Sequence, residues 1–175
     1  EQKVYSVPVT NGKAKIKVGA GFKGQIYART YDNVGNVSEE RTPQGFVIDK
    51  TAPDIFIEPL PGRGSGTDNN GNKLFTEEVQ FRVTISDTKS GLRNVSYSKK
   101  SEKDSFDSVK TEISNTAGYN VGEILDNGWE ITGADTNLVT EVSKVFTFNT
   151  DDNDISMMFS ASDRSGNIRD NEESE

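Results

Sequence analysis

The chain contains no cysteine and no histidine. Without cysteine, the sequence excludes disulfide cross-links, thiol catalysis and cysteine-ligated zinc. Without histidine, it excludes any mechanism that uses an imidazole as a base or as a metal ligand. The groups that remain for chemistry are carboxylates, hydroxyls, lysines and a few tyrosines.

Long apolar runs and excess positive charge are also missing. No run of about 18 apolar residues occurs, so we expect no transmembrane helix and no membrane insertion in this segment. The net charge is −8 and the pI about 4.7, which argues against nucleic-acid partners, since their binders present basic faces. The plainer interpretation of the acidity is that it serves solubility.

Helical patterns are scarce, whereas alternating strand patterns are frequent. In EVQFRVTIS (78–86) and ISMMFSAS (155–162), every second residue is apolar, the period of a sheet that is buried on one face. Residues 101–113 form the one weak helix candidate. Clusters of Asn, Gly, Asp and Ser separate the strands. The sequence therefore predicts an all-β, antiparallel β-sandwich.

One polar hexamer occurs twice, as YDNVGN (31–36) and SDRSGN (162–167), each time after an alternating strand. Asp can bond to its own downstream amides, and Gly and Asn tolerate positive φ, so both hexamers predict the same tight turn. Residues 13–36 align with residues 144–167 without gaps. A period this long indicates tandem domains that have diverged.

The stretch VIDKTAPD (47–54) separates the two copies, and Pro53 makes it a stiff domain boundary. Residues 53–175 contain a complete set of strands, whereas residues 1–52 contain only the C-terminal half of a similar domain. Such a half would be marginal alone. We therefore interpret 1–52 as a fragment; the alternative is that another molecule supplies the missing strands.

The pattern ARTYDNVGN followed by VIDKTAP, together with residues 71–98, resembles the tandem immunoglobulin-like repeats of bacterial surface and secreted proteins. The resemblance covers roughly residues 13–98 and 144–168. It implies a Greek-key immunoglobulin-like sandwich. Residues 99–143 do not fit the family, and we expect them to be an insertion between strands C and E. The resemblance also implies a non-enzymatic, extracellular spacer or stalk module, as in adhesins, whose partners are neighbouring repeats and host proteins or glycans.

Under this resemblance, two turns and the entering linker meet at one end of the second domain. Four aspartates lie in these segments: Asp49, Asp54, Asp87 and Asp163. Calcium binds six to eight oxygens, several of them from carboxylates, so these residues predict a calcium site at the domain junction. The alternative is that each aspartate only stabilises its own turn. Calcium is the one cofactor that the sequence suggests.

Two aromatic residues in the expected insertion, Trp129 and Tyr119, could form a stacking platform for a carbohydrate or protein ligand. This hypothesis would make the chain a binding module of an extracellular enzyme. A core position for Trp129 is the alternative, and an inward pair of Trp129 and Ile131 would decide for it. A covalent cross-link between a lysine and an asparagine or aspartate is a weaker hypothesis. Such a link needs a buried acid beside it, and Glu123 is the nearest candidate for that acid.

Overall fold

The computed structural model describes residues 4–60, 64–71, 73–75, 78–100, 105–115, 118–148 and 155–174. Apart from one 3-10 turn, the regular secondary structure of these residues is β-strand. The chain divides into two units, Glu1–Lys50 and Thr51–Glu175. The first unit contains β1 (Lys23–Gly24), β2 (Tyr27–Tyr31), β3 (Val37–Arg41) and β4 (Phe46–Val47). The second contains β5 (Asp54–Pro59), β6 (Gly64–Thr67), β7 (Lys73–Phe75), β8 (Val79–Ser86), β9 (Leu92–Lys100), β10 (Ser105–Glu112), β11 (Glu130–Asp135), β12 (Leu138–Phe148), β13 (Ser156–Asp163) and β14 (Ile168–Ser174).

Two four-stranded antiparallel sheets form most of the second unit. Their strand orders are β11-β12-β8-β5 and β10-β9-β13-β14. Among the described residues, β6 and β7 pair only with each other. The turn after β8 therefore carries the chain from one four-stranded sheet to the other. The prediction of an all-β fold with antiparallel sheets is confirmed, and the arrangement is consistent with a β-sandwich.

The core of this unit is built from the alternating positions of both sheets. On β8, Val83 and Ile85 are fully buried, and on β13 Phe159 is almost so. Phe146 of β12 packs edge-on against Phe159, with ring centroids 5.4 Å apart. Because β12 and β13 belong to different sheets, this ring contact joins the two. The inward faces predicted for 78–86 and 155–162 are thus the faces that are buried.

Residues 99–143 are not a separate excursion from the sheets. They contain β10, a 3-10 turn at Asp126–Gly128, β11 and the first part of β12, so they contribute to both four-stranded sheets. The weak helix prediction for 101–113 is wrong, since 105–112 pair with β9, while 101–104 lie outside the described residues. Among the described residues, no helix has the length and apolarity needed to cross a bilayer.

The first unit is a pair of small two-stranded sheets, β1 with β4 and β2 with β3. Every residue of β2 and β3 is exposed. Phe22 and Phe46 contact each other with centroids 5.0 Å apart, yet the unit buries few of its own side chains. This is the pattern expected of 1–52 as half of a domain, although the half-domain interpretation itself stays a prediction.

Trp129 lies in the middle of the second unit's core. It and Ile131 are fully buried, and its ring lies 6.2 Å from Phe146 and 6.3 Å from Tyr97. Among the described residues, no hydrogen-bond acceptor meets its indole nitrogen. The inward pair of Trp129 and Ile131 is therefore present, which favours the core role.

We expect Trp129→Ala to lower the free energy of unfolding by about 3–5 kcal/mol, because it leaves a large cavity between the sheets. Trp129→Phe should cost less, since it keeps an aromatic ring and removes an unpaired N–H. Urea unfolding followed by circular dichroism measures both changes. Trp129 is the chain's one tryptophan, and unfolding exposes its buried indole to water. The fluorescence emission of the wild type should therefore shift to longer wavelength on unfolding. Emission typical of an exposed indole in the native state would contradict this account.

Candidate functional site

The two repeated hexamers fold into the same turn. In the first unit, Asp32 Oδ1 accepts hydrogen bonds from the backbone N–H of Val34 and Asn36, and Asp32 Oδ2 accepts one from Asn36 Nδ2 at 2.6 Å. In the second, Asp163 accepts from the backbone and the side chain of Asn167 at 2.8 and 2.7 Å. The predicted common turn is confirmed.

A glycine in the left-handed region completes each turn. Gly35 has φ 92° and Gly166 has φ 90°, a conformation that side chains rarely adopt. The backbone N–H of each glycine points back to the carbonyl oxygen of the aspartate. The repeated Asp, Gly and Asn positions are therefore the ones that the geometry requires, while the residues between them differ.

The two turns differ in their surroundings. Asp32 is exposed, and the hydrogen bonds from the side chain and then the backbone of Asn36 lower its pKa below the ordinary value. Asp163 is fully buried. In the first unit, the hydrogen bonds to Asp32 therefore form in contact with water. In the second unit, the carboxylate of Asp163 has lost its hydration and depends on hydrogen bonds from the protein.

Asp87 stabilises the turn that crosses between the sheets. Its Oδ1 accepts from the backbone N–H of Lys89, Ser90 and Gly91 at 3.1, 2.8 and 2.8 Å. Gly91 has φ 78°, and a Cβ there would lie 3.2 Å from both Leu138 Cβ and the Val139 carbonyl oxygen. The strand β9 can therefore start directly against β12 because residue 91 has no side chain.

Two of the four predicted calcium ligands meet inside the second unit. Carboxylate oxygens of Asp87 and Asp163 lie within 4.8 Å of each other, and both side chains are buried. Within the part of the chain that the structure describes, neither carboxylate has a Lys or Arg nitrogen at ion-pair distance. Two neighbouring buried anions repel unless a cation or a proton compensates them.

Of the other two predicted ligands, Asp54 lies in the second unit but does not belong to this pair. The Asp54 side chain is 86% exposed and accepts a long contact of 3.4 Å from Arg169, so it faces solvent and a cation of the protein. Asp49 is buried and belongs to the first unit. Its role as a ligand stays a prediction.

The aromatic platform lacks its main element. The buried indole of Trp129 is closed to a ligand in this structure, and Tyr119 is half-buried, with its hydroxyl oxygen accepting the Ser114 N–H at 3.0 Å. Glu123 is exposed and accepts from the Asn120 N–H, so it is not the buried acid that a cross-link would need.

An open groove of about 380 Å³ lies where the chain enters the second unit, and Thr51, Asp54, Thr88, Lys89 and Arg169 are among its lining residues. Lys89 Nζ donates to Thr51 Oγ1 at 3.0 Å, and Arg169 Nε to the Pro53 carbonyl oxygen at 3.0 Å. Sequence reasoning missed both basic residues, because the bonded residues are 38 and 116 positions apart.

No family model matches the chain, and no curated protein or solved structure matches it either.

We expect Asn167→Ala to destabilise the second unit by about 1.5–3 kcal/mol, because the buried Asp163 loses charge-assisted hydrogen bonding. Urea unfolding followed by the fluorescence of Trp129 reports this unit. The matched control is Asn36→Ala, which removes the same bond from the exposed turn of the first unit and should leave this transition unchanged. An unchanged transition in Asn167→Ala would contradict the role assigned to burial.

Proposed function

We propose that this protein is a structural spacer, a stalk module of a bacterial cell-surface or secreted protein such as an adhesin. The supporting observation is the path of the chain through the second unit. Asp54, where β5 begins, lies opposite Ser86 at the end of β8, and Ile168, where β14 begins, lies opposite Ser162. Both terminal strands thus start at the same end of the sheets.

The chain leaves at the opposite end. β14 runs the length of β13, and its last described residue, Ser174, lies opposite Met157. A pull applied before Thr51 and after Ser174 therefore acts along the strands, and it loads the ladders of β5 and β14 in shear. A module with its entry and exit at opposite ends can be strung in series, which is what a spacer requires.

The strand order supports an immunoglobulin-like fold of Greek-key type. If β5, β8, β12 and β11 are named A, B, E and D, their sheet has the order D-E-B-A. The other sheet, β10-β9-β13-β14, then reads C′-C-F-G. These are the two sheets of that fold, and β10 and β11, which lie wholly within 99–143, become strands C′ and D.

The first unit supports the tandem arrangement. The turn of its β2–β3 hairpin has the same hydrogen bonds as the turn that joins β13 to β14 in the second unit. By the strand naming above, the β2–β3 hairpin is therefore an F–G hairpin. We infer that 1–52 is the C-terminal half of a preceding repeat. The proposed partners are accordingly neighbouring domains of the same polypeptide, outside the cell, with host proteins or glycans reached by other parts of the molecule.

A carbohydrate- or protein-binding accessory module is the second candidate function. It required an exposed Trp129, and the buried indole removes that support. Binding of the full chain on a glycan array, lost in a surface variant at Tyr119, would favour this candidate over the spacer.

We also propose that calcium binds at Asp87 and Asp163. The 4.8 Å limit on their oxygen separation is about twice the usual calcium–oxygen distance of 2.3–2.6 Å, so one ion could contact both. A cation would also compensate the repulsion between the two buried carboxylates. The competing account, in which each aspartate only stabilises its own turn, needs no ion.

Forced unfolding tests the spacer, and since the chain has no native cysteine, paired cysteines give unique handles. We expect a higher unfolding force through Lys50→Cys with Ser174→Cys than through Thr88→Cys with Ser165→Cys, because the first pair shears whole ladders and the second pulls across the strands. Optical-tweezer measurements compare the pairs, and equal urea midpoints serve as the control. A lower or equal force along the strands would overturn the spacer.

Thermal unfolding in calcium and in chelator tests whether calcium binds. The calcium concentration is 5 mM, on the order of that which saturates weak extracellular sites. A site on the folded state alone raises the melting temperature by mass action. We expect this rise to disappear in Asp87→Asn and Asp163→Asn and to persist in the exposed control Asp54→Asn. A loss of the rise in Asp49→Asn would add that residue to the site. An unchanged wild-type melting temperature contradicts the calcium proposal.

A further inference from the structure

We infer that Lys89 and Arg169 form a clamp that holds residues 51–54, the segment through which the chain enters the second unit. The clamp is defined by three contacts, from Lys89 to Thr51 and from Arg169 to Pro53 and Asp54. Its existence rests on these contacts alone. Its consequence, a stiff entry to the module, rests on the proposed spacer function.

Arg169 holds the segment from the side of the last strand. Its Nε donates to the Pro53 carbonyl oxygen at 3.0 Å, and its Nη2 donates to Asp54 Oδ1 at 3.4 Å. Arg169 is the second residue of β14, whereas Asp54 opens β5 in the other sheet. The planar guanidinium thus bridges the first and last strands of the unit, with two nitrogens at fixed relative positions.

Lys89 holds the same segment from the side of the turn between the sheets. Its Nζ donates to Thr51 Oγ1 at 3.0 Å. The backbone of Lys89 is itself anchored, because its N–H donates to the buried carboxylate of Asp87 at 3.1 Å. The side chain of Lys89 therefore extends from an anchored backbone. Together, Lys89 and Arg169 bind the entering chain at Thr51 and at Pro53 and Asp54.

Ala52 and Pro53, which follow Thr51, have little conformational freedom of their own. Pro53 is buried, and its ring fixes its φ. It also restricts Ala52 to extended conformations. A segment that is stiff in itself and bound at both ends enters the sandwich in one direction.

The contacts suit a positioning role better than a stabilising one. The side chains of Arg169 and Asp54 are 40% and 86% exposed, and such ion pairs contribute little to the free energy of unfolding. Lys89 is exposed and Arg169 is half-buried, and neither belongs to the buried apolar residues that form the core. Removal of the clamp should therefore loosen the entry while leaving the global stability of the unit almost unchanged.

Backbone ¹⁵N relaxation of the full chain tests the clamp at Ala52 and Asp54. We expect order parameters near the rigid value of about 0.85 in the wild type and below about 0.6 in the double variant Lys89→Met, Arg169→Met. The single variant Arg169→Lys, which keeps the charge but loses the fork, should give intermediate values. The matched control is Arg82→Met, which breaks the exposed pair between Arg82 of β8 and Glu58 of β5 and should leave both residues rigid.

Unchanged order parameters in the double variant would overturn the clamp, and so would an equal loss in Arg82→Met, since that would indicate general fraying of β5. A second readout separates the clamp from the spacer. Spin labels at Asn33→Cys and Ser165→Cys report the width of the distance distribution between the units. Lower order parameters with an unchanged width would keep the clamp and remove its contribution to stiffness, whereas a broader distribution would support both.

Discussion

Hydrogen bonds from turn amides to aspartate carboxylates are the interaction on which this fold depends. Each reversal of a β-strand leaves backbone N–H groups without a ladder partner, and buried groups of this kind must be satisfied. Asp87 accepts three of them where the chain crosses between the sheets, and Asp163 and Asp32 each satisfy the turn of a hairpin. The strand ends are therefore fixed by short-range bonds.

Fixed strand ends matter because the apolar content is low, at 31%. A shift of one residue in any strand would move its buried face to solvent. Within the core, the rings of Trp129 and Phe159 both contact the ring of Phe146. The turns and the core are thus two parts of one constraint.

The same end of the second unit combines several roles. It contains the buried carboxylates of Asp87 and Asp163, the start of the last strand and the entry of the chain held by Lys89 and Arg169. If the protein is a spacer, as proposed, a load would enter at this end and leave at the other. The proposed ion and the proposed clamp would both stiffen this end of the second unit, where we expect a string of modules to bend most.

The sequence by itself determined the strand class, the inward faces of 78–86 and 155–162 and the common turn of the two hexamers, because these follow from period-2 alternation and from bonds that span at most four residues. Tertiary structure alone decided that 105–112 form a strand beside β9, that Trp129 is buried and that Asp163 reaches Asp87 while Asp54 does not. It also created the bond from Arg169 to Pro53, 116 residues away. These contacts join distant segments, and their geometry exists only once the sheets have assembled.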